Sequence, residues 1–117
     1  MKILKQVPLK DYTTIRIGGE SSDIYFPESI DDLILLKNII ASKKTIILGK
    51  GSNIAFKDHG YKHSIISLKY FNKNKIDDNT HQINVMAGVS CARFAKYCHK
   101  NYISGYEFIH GIPGSIG

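Results

Sequence analysis

Residues 49–53, Gly-Lys-Gly-Ser-Asn, are the first stretch whose residue types and spacing point to chemistry. They follow the apolar run Thr45–Leu48 and therefore lie at the end of a predicted strand. Glycines allow a sharp turn and close approach to a ligand, and consecutive backbone N–H groups in such a turn can converge on an anion. Ser52 and Asn53 add hydrogen-bonding side chains, and Lys50 adds a positive charge. This segment, here called loop 1, is predicted to bind phosphate, although it also suits an ordinary tight turn.

Residues 111–117, Gly-Ile-Pro-Gly-Ser-Ile-Gly, form a second segment of the same character and are called loop 2. Pro113 fixes one φ angle within it. Neither loop has the spacing of an NTP-binding P-loop or of the G-x-G-x-x-G dinucleotide motif. Each loop alone is also explained by a tight turn, but two such loops in one short chain favour a shared ligand.

The elements that must position loop 1 form a predicted β-α-β unit. Residues 23–26 read as a strand that Pro27 ends, and Ser29 precedes Asp32 by three residues, the spacing of a capping box. A helix is predicted over residues 31–42, with Leu33, Leu36 and Ile40 on one stripe. The β-branched run at 45–48 reads as a buried strand, and such a unit builds a parallel pair.

The elements before loop 2 are two strands and a helix. Residues 58–60 read as a turn, residues 64–68 as a strand, and residues 82–88 as a strand that ends in glycine. The polar segment 69–82 between the strands reads as a solvated hairpin or loop. Ser90 is the predicted N-cap of an amphipathic helix, whose apolar positions are Cys91, Phe94, Ala95, Cys98 and Tyr102.

Composition narrows the class of protein. The chain has 117 residues, 43% hydrophobic and 22% charged, which suits one small globular domain or one lobe of a larger one. No apolar run approaches the roughly 20 residues of a membrane helix, and the apolar run at the start of the chain is too short for a secretory signal, so a cytoplasmic location is expected.

Cys91 and Cys98 are too far apart on a helix for a disulfide and are predicted to be buried thiols without a metal.

The formal net charge of +6 invites a nucleic-acid interpretation. The charge is scattered and nearly all lysine, however, and the better phosphate ligand, arginine, occurs only at Arg16 and Arg93. We therefore expect no nucleic-acid partner, while the charge remains suited to attracting an anionic ligand.

Three segments in order, "YTTIRIGG", "ILGKGSNIAFKDHGYKHSII" and "VMAGVSCARFAKYCHKNYISGYEFIHGIPGSIG", resemble the bacterial UDP-N-acetylenolpyruvoylglucosamine reductases over nearly the whole chain. The resemblance implies an α+β fold with a β-α-β lobe, the truncated FAD-binding domain of the vanillyl-alcohol-oxidase and p-cresol-methylhydroxylase type. Residues 1–68 would form the first FAD-binding lobe and residues 69–117 the incomplete start of the second, without the substrate domain.

The resemblance also assigns residues to FAD. Loop 1 would wrap the pyrophosphate, while loop 2 and an Ala-Gly pair would border the cofactor. The implied cofactor-binding residues are Leu48, Gly49, Lys50, Gly51, Ser52, Asn53, Ala87, Gly88, Gly111, Ile112, Pro113, Gly114, Ser115 and Gly117. Thr14 and the glycines after it are expected to shape an entry turn, Arg16 to cover the ligand or a carboxylate, and Glu107 to orient loop 2 or form a surface ion pair.

The implied activity is reduction of UDP-N-acetylglucosamine enolpyruvate to UDP-N-acetylmuramate during peptidoglycan synthesis, with NADPH as the electron donor. The family's catalytic residues lie beyond the region matched here, so no residue of this chain is predicted to be catalytic, and the chain is expected to be an inactive fragment capable of self-association. Two alternatives stay open: a stand-alone module that binds a nucleotide or another anion, and a basic RNA-binding domain.

Overall fold

The computed structural model describes residues 1–42, 44–72, 77–79 and 82–117. Much of the predicted hairpin or loop at 69–82 therefore lies outside the described residues. The strands are β1 Lys2–Lys5, β2 Asp23–Phe26, β3 Ile46–Leu48, β4 Ile65–Ser67, β5 Asp77–Asn79 and β6 Gln82–Asn84. The α-helices are α1 Ile30–Leu35, α2 Lys37–Ile40 and α3 Cys91–Lys100, and short 3-10 helices span Leu9–Tyr12, Leu68–Tyr70 and Glu107–Gly111. The mixture of sheet and helices agrees with the α+β class.

The main sheet has the order β1-β2-β4-β3 within the described residues. β4 runs parallel to both β2 and β3, while β1 pairs antiparallel with β2, with Lys2 opposite Phe26. The predicted β-α-β unit exists, but its two strands are not neighbours because β4 lies between them. Strand β1 was not predicted, since a four-residue run with a lysine at each end carries little periodicity.

The prediction that β3 is buried is wrong for its middle residue. β3 is the last strand of the sheet, and the Ile47 side chain is 55% exposed, whereas Leu48 is 3% exposed. An edge strand has one neighbour only and leaves one side open. Leu48 nevertheless anchors the start of loop 1 in the core.

The helical segment after β2 begins as predicted but is not continuous. The Ser29 hydroxyl accepts a hydrogen bond from the Asp32 N–H at 3.2 Å, and the Asp32 carboxylate accepts one from the Glu28 N–H at 2.8 Å. Leu36, at φ −86° and ψ 3°, separates α1 from α2, so the single helix over 31–42 is wrong. The helix is interrupted at Leu36, whose side chain is 2% exposed, whereas the side chain of its neighbour Leu35 is 74% exposed.

Helix α3 is capped as predicted, and its predicted apolar stripe holds at four positions. The Ser90 hydroxyl accepts from the Arg93 N–H at 3.2 Å, and Cys91, Phe94, Ala95 and Cys98 are buried. Both cysteines are free thiols, as expected.

Tyr102 is the exception to that stripe, because it is 97% exposed. The helix ends in a Schellman motif, in which the Ile103 N–H donates to the Cys98 carbonyl at 2.9 Å and the Tyr102 N–H to the His99 carbonyl at 3.3 Å. Tyr102 occupies the left-handed position at φ 56°, which turns its side chain out of the helical pattern.

Two hydrophobic clusters support the described part of the chain. The first contains Leu9, Ile24, Phe26, Leu48, Phe56 and Ile65. The second contains Val89, Phe94 and Cys98, with Ile83 and Ile109 packed against it. The boundary between two lobes after residue 68 stays a prediction.

Candidate functional site

A cavity of about 840 Å³ opens where the 3-10 turn before residue 13, the ends of β3 and β4, and the start of α3 meet. β3 and β4 are parallel, so their carboxyl ends reach the same edge of the sheet, the usual place for a ligand in such sheets. The lining residues are Lys10, Asp11, Tyr12, Thr13, Thr14, Arg16, Leu48, Gly49, Lys50, Ser67, Leu68, Lys69, Tyr70, Asn72, Gly88, Ser90, Arg93 and Ser115.

Loop 1 is held against the segment that follows the first 3-10 turn. The Thr14 N–H donates to the Gly51 carbonyl at 2.9 Å. Gly51 has φ +69°, and a Cβ at this position would lie 2.0 Å from the Tyr12 carbonyl oxygen. The turn therefore requires glycine at position 51, both for its backbone conformation and for the space beside it.

Loop 2 contacts loop 1 directly. The Ser52 hydroxyl donates to the Pro113 carbonyl at 2.9 Å, and a Cβ on Gly49 would lie 2.7 Å from the Ser115 Oγ. The two glycine-containing segments, 61 residues apart at the Ser52–Pro113 bond, thus meet at one place in the molecule.

Loop 2 is also tied to the residues that precede α3. The Gly117 N–H donates to the Ala87 carbonyl at 2.9 Å, and the Cys91 N–H donates to the Gly114 carbonyl at 3.2 Å. Gly88 packs on the other side, where a Cβ would lie 2.2 Å from the Leu68 carbonyl oxygen. The start of α3 is therefore fixed between loop 2 and the end of β4.

The backbone N–H groups of loop 1 have no hydrogen-bond partner among the described residues. Within the described residues, none of the amides of residues 49–53 donates a hydrogen bond, and the same holds for Gly88 and Ser115. Unpaired amides near the end of a strand are donors that an anion can satisfy. Gly49, Lys50, Gly88 and Ser115 all line the cavity, so these donors lie beside its open space.

Positive charge dominates the cavity. Its described lining includes Lys10, Arg16, Lys50, Lys69 and Arg93, against the single carboxylate of Asp11. The Arg93 guanidinium donates to the Asn72 carbonyl at 3.3 Å, which holds it at the cavity. A wall of cations and free amides suits a ligand that carries more than one negative charge.

Two pKa shifts follow from burial. Burial raises the pKa of the Tyr12 phenol at the cavity wall, and the nearby Tyr70 and Asp11 add to the rise, so the phenol stays protonated at neutral pH. Burial also raises the pKa of the Cys98 thiol, with a further contribution from Glu107, so this cysteine is a poor nucleophile.

The structure gathers only part of the predicted site at the cavity. Leu48, Gly49, Lys50, Gly88 and Ser115 line it. The other predicted residues belong to the two loops or precede α3, and they are not part of the cavity lining: Gly51, Ser52, Asn53, Ala87, Gly111, Ile112, Pro113, Gly114 and Gly117. The Glu107 carboxylate accepts from the Gly105 N–H at 2.9 Å.

Sequence reasoning missed most of the cavity's polar wall. Lys10, Tyr12, Lys69 and Arg93 line it, although none stands in a recognisable motif. The two 3-10 turns that carry the first three are too short to show a periodicity, and only the scatter of positive charge pointed to the lysines and the arginine.

The described residues contain no group of three or more His, Cys, Asp or Glu side chains arranged to hold a metal ion. None of their helices has the length and apolar character needed to cross a membrane.

Comparison with known proteins identifies relatives for most of the chain. Residues 22–117 match the family described as FAD binding domain. A UDP-N-acetylenolpyruvoylglucosamine reductase of Legionella pneumophila (strain Corby) is 39% identical over 116 residues, which are 98% of this chain and 38% of that protein. A protein of the same name from Nitrosococcus oceani is 35% identical over 113 residues, 95% of this chain and 38% of the relative.

A solved structure has the same fold. The crystal structure of UDP-N-acetylenolpyruvylglucosamine reductase (MurB) from Thermus caldophilus matches with a TM-score of 0.79 and 27% identity, over 100% of this chain and 40% of that one. The chain therefore spans about two fifths of the length of the relatives it matches.

Proposed function

We propose that this chain, which belongs to the FAD binding domain family, is the FAD-binding part of a UDP-N-acetylenolpyruvoylglucosamine reductase. The cofactor is FAD, in keeping with that family. The names of the similar proteins support the reductase assignment. Because the chain spans 38% of the Legionella relative, the activity belongs to the proposal and is assigned to the intact protein.

The observation that carries the proposal is the set of unpaired amides in loop 1. Within the described residues the N–H groups of residues 49–53 donate no hydrogen bond. Gly49 and Lys50 of this loop line a cavity whose described lining holds five Lys and Arg side chains against one Asp. FAD contains a diphosphate with two negative charges, which needs such donors and such a field. The residues present therefore fit this cofactor.

Each part of the site has a proposed role. The amides of loop 1 hold the diphosphate, and Lys50 and Arg16 supply positive charge beside it. Loop 2 braces loop 1 through the Ser52–Pro113 hydrogen bond, and Gly88 lets the start of α3 approach the cofactor closely. FAD, when bound, supplies the capacity to accept and donate a hydride.

The complete reaction is proposed for the intact protein. NADPH is the electron donor and UDP-N-acetylglucosamine enolpyruvate the substrate, reduced to UDP-N-acetylmuramate. This chain contributes cofactor binding and no catalytic residue, so by itself it is inactive. The proposal includes the cytoplasmic location expected from the sequence, no nucleic-acid partner and no membrane partner.

Self-association of the isolated chain is a further part of the proposal. Leu35, Phe108 and Ile34 are 74%, 69% and 63% exposed, and exposed apolar surface favours association. Sedimentation at increasing concentration checks this expectation directly.

The proposal is tested by titrating FAD into the chain, and into the longer natural protein that carries it, with flavin fluorescence as the signal. We expect the longer protein to bind FAD and, without oxygen, to turn over NADPH in excess of its bound flavin only when UDP-N-acetylglucosamine enolpyruvate is present. The 117-residue chain should show no NADPH oxidation. A longer protein that folds but binds no FAD contradicts the assignment, and FAD binding without substrate-dependent NADPH oxidation contradicts the reductase activity alone.

A further inference from the structure

Two tyrosines outside both glycine loops line the cavity at the ends of β3 and β4. Tyr12 ends the first 3-10 turn and Tyr70 ends the turn after β4, and both belong to the cavity wall. Each residue is partly buried rather than fully enclosed in the core.

Both rings pack on the same core side chain. The ring centroid of Phe26 lies 6.0 Å from that of Tyr12 and 5.4 Å from that of Tyr70, with interplanar angles of 44° and 45°. Phe26 is 2% exposed and belongs to the first hydrophobic cluster. Such tilted pairs are favourable contacts, so a buried anchor fixes both tyrosines in position.

We propose that Tyr12 and Tyr70 form an aromatic wall that contacts a planar ring of the bound dinucleotide. The inference rests on the proposed FAD function and names residues that neither the sequence motifs nor the comparisons assign. Free amides and cations account for a diphosphate, but a cavity of about 840 Å³ is much larger than that group. Aromatic side chains are the usual partners of nucleotide rings, because every such ring has a π-face to stack.

Two local features agree with this role. Lys69 places its Nζ 5.7 Å from the centroid of the Tyr70 ring, so a positive charge that attracts anionic groups stands next to the wall. Burial raises the pKa of the Tyr12 phenol, so at neutral pH this ring carries no negative charge that would repel the diphosphate.

FAD contains two planar rings, adenine and isoalloxazine, and the test separates them. Tyr12→Leu and Tyr70→Leu keep apolar volume next to Phe26 but remove the π-face, whereas Tyr12→Phe and Tyr70→Phe keep the ring. Binding is measured in the longer natural protein with three probes: FAD, ADP and FMN. We expect each Leu variant to bind FAD roughly 5- to 150-fold more weakly and each Phe variant to bind within about threefold of the unmodified protein.

The matched control is Tyr61→Leu. Tyr61 is also partly buried and packs on a core phenylalanine, Phe56, at 6.1 Å, but it is not part of the cavity lining. The Tyr61→Leu variant should be less stable but should bind FAD with unchanged affinity. Circular dichroism verifies that every variant is folded.

The outcomes are distinct. Weaker ADP binding in the Leu variants places adenine on the wall, and weaker FMN binding places isoalloxazine there. Leu variants that fold and bind all three probes like the unmodified protein overturn this inference while leaving the FAD function intact. Absence of FAD binding by the unmodified protein overturns both.

Discussion

The residue that most restricts loop 1 is Gly51. Its φ of +69° lies in the left-handed region, and a Cβ would meet the Tyr12 carbonyl oxygen at 2.0 Å. The backbone cannot yield easily, because the Gly51 carbonyl accepts a hydrogen bond from the Thr14 N–H at 2.9 Å. The position of the amides of loop 1 therefore depends on the absence of a side chain at residue 51.

Gly51→Ala is expected to lower the free energy of unfolding by about 2–4 kcal/mol, because it combines a strained φ with a backbone clash. It should also weaken FAD binding, since relieving the clash moves the amides of loop 1. Urea unfolding followed by circular dichroism, together with an FAD titration, measures both effects.

Gly111→Ala is the control for that substitution. Gly111 belongs to the predicted site, but no heavy atom lies within 4 Å of where its Cβ would be. The change in stability should stay within about 0.5 kcal/mol. Equal losses of stability in the two variants would contradict the structural account of loop 1.

At the scale of elements, the features that local sequence controls were predicted well. Strands β2 and β4, the caps at Ser29 and Ser90, and the buried face of α3 follow from patterns within a few residues. The order of the strands and the break at Leu36 were not predicted, because both depend on which other parts of the folded chain pack against these elements. Tyr102 is exposed because it occupies the left-handed position of a Schellman motif. Glycine usually marks this position in a sequence, so a tyrosine there does not indicate where the helix ends.

Helix α3 connects its own stability to the site through its N-cap. The Ser90 hydroxyl accepts a hydrogen bond from the Arg93 N–H at 3.2 Å. The Ser90 backbone forms an isolated antiparallel β-bridge with Ser115, and the residue lines the cavity. Ser29 makes the equivalent contact with the Asp32 N–H at 3.2 Å and is not part of the cavity lining. The two serines therefore form a matched pair.

Ser90→Ala and Ser29→Ala should each lower the free energy of unfolding by about 1 kcal/mol, the usual value of a lost N-cap. Only Ser90→Ala should weaken FAD binding, because only that cap lies beside the ligand. Urea unfolding and FAD fluorescence titration of both variants check this. The same loss of FAD affinity in both would show that binding follows general stability rather than the position of α3.

At the scale of the whole molecule, the site is lined by residues that belong to, or lie next to, both hydrophobic clusters. Leu48 belongs to the first cluster and lines the cavity, and Gly88, Ser90 and Arg93 flank the second cluster from the start of α3. The sequence motifs predicted the glycine loops, because backbone requirements restrict residue type locally. Lys50 and Arg16 were expected at the ligand, but the rest of the cationic and aromatic wall was not, since it is assembled from segments that meet only after folding.

The proposed function depends most on the binding of the FAD diphosphate by the amides of loop 1. The most direct measurement is an NMR titration of the 15N-labelled longer natural protein with FAD, which follows the amide resonances of residues 49–53. We predict that these resonances shift and that their hydrogen exchange slows as FAD binds, whereas the Gly105 amide, already bonded to Glu107, remains unchanged. FAD binding, seen by fluorescence, that leaves the amides of residues 49–53 unshifted and unprotected would contradict the account.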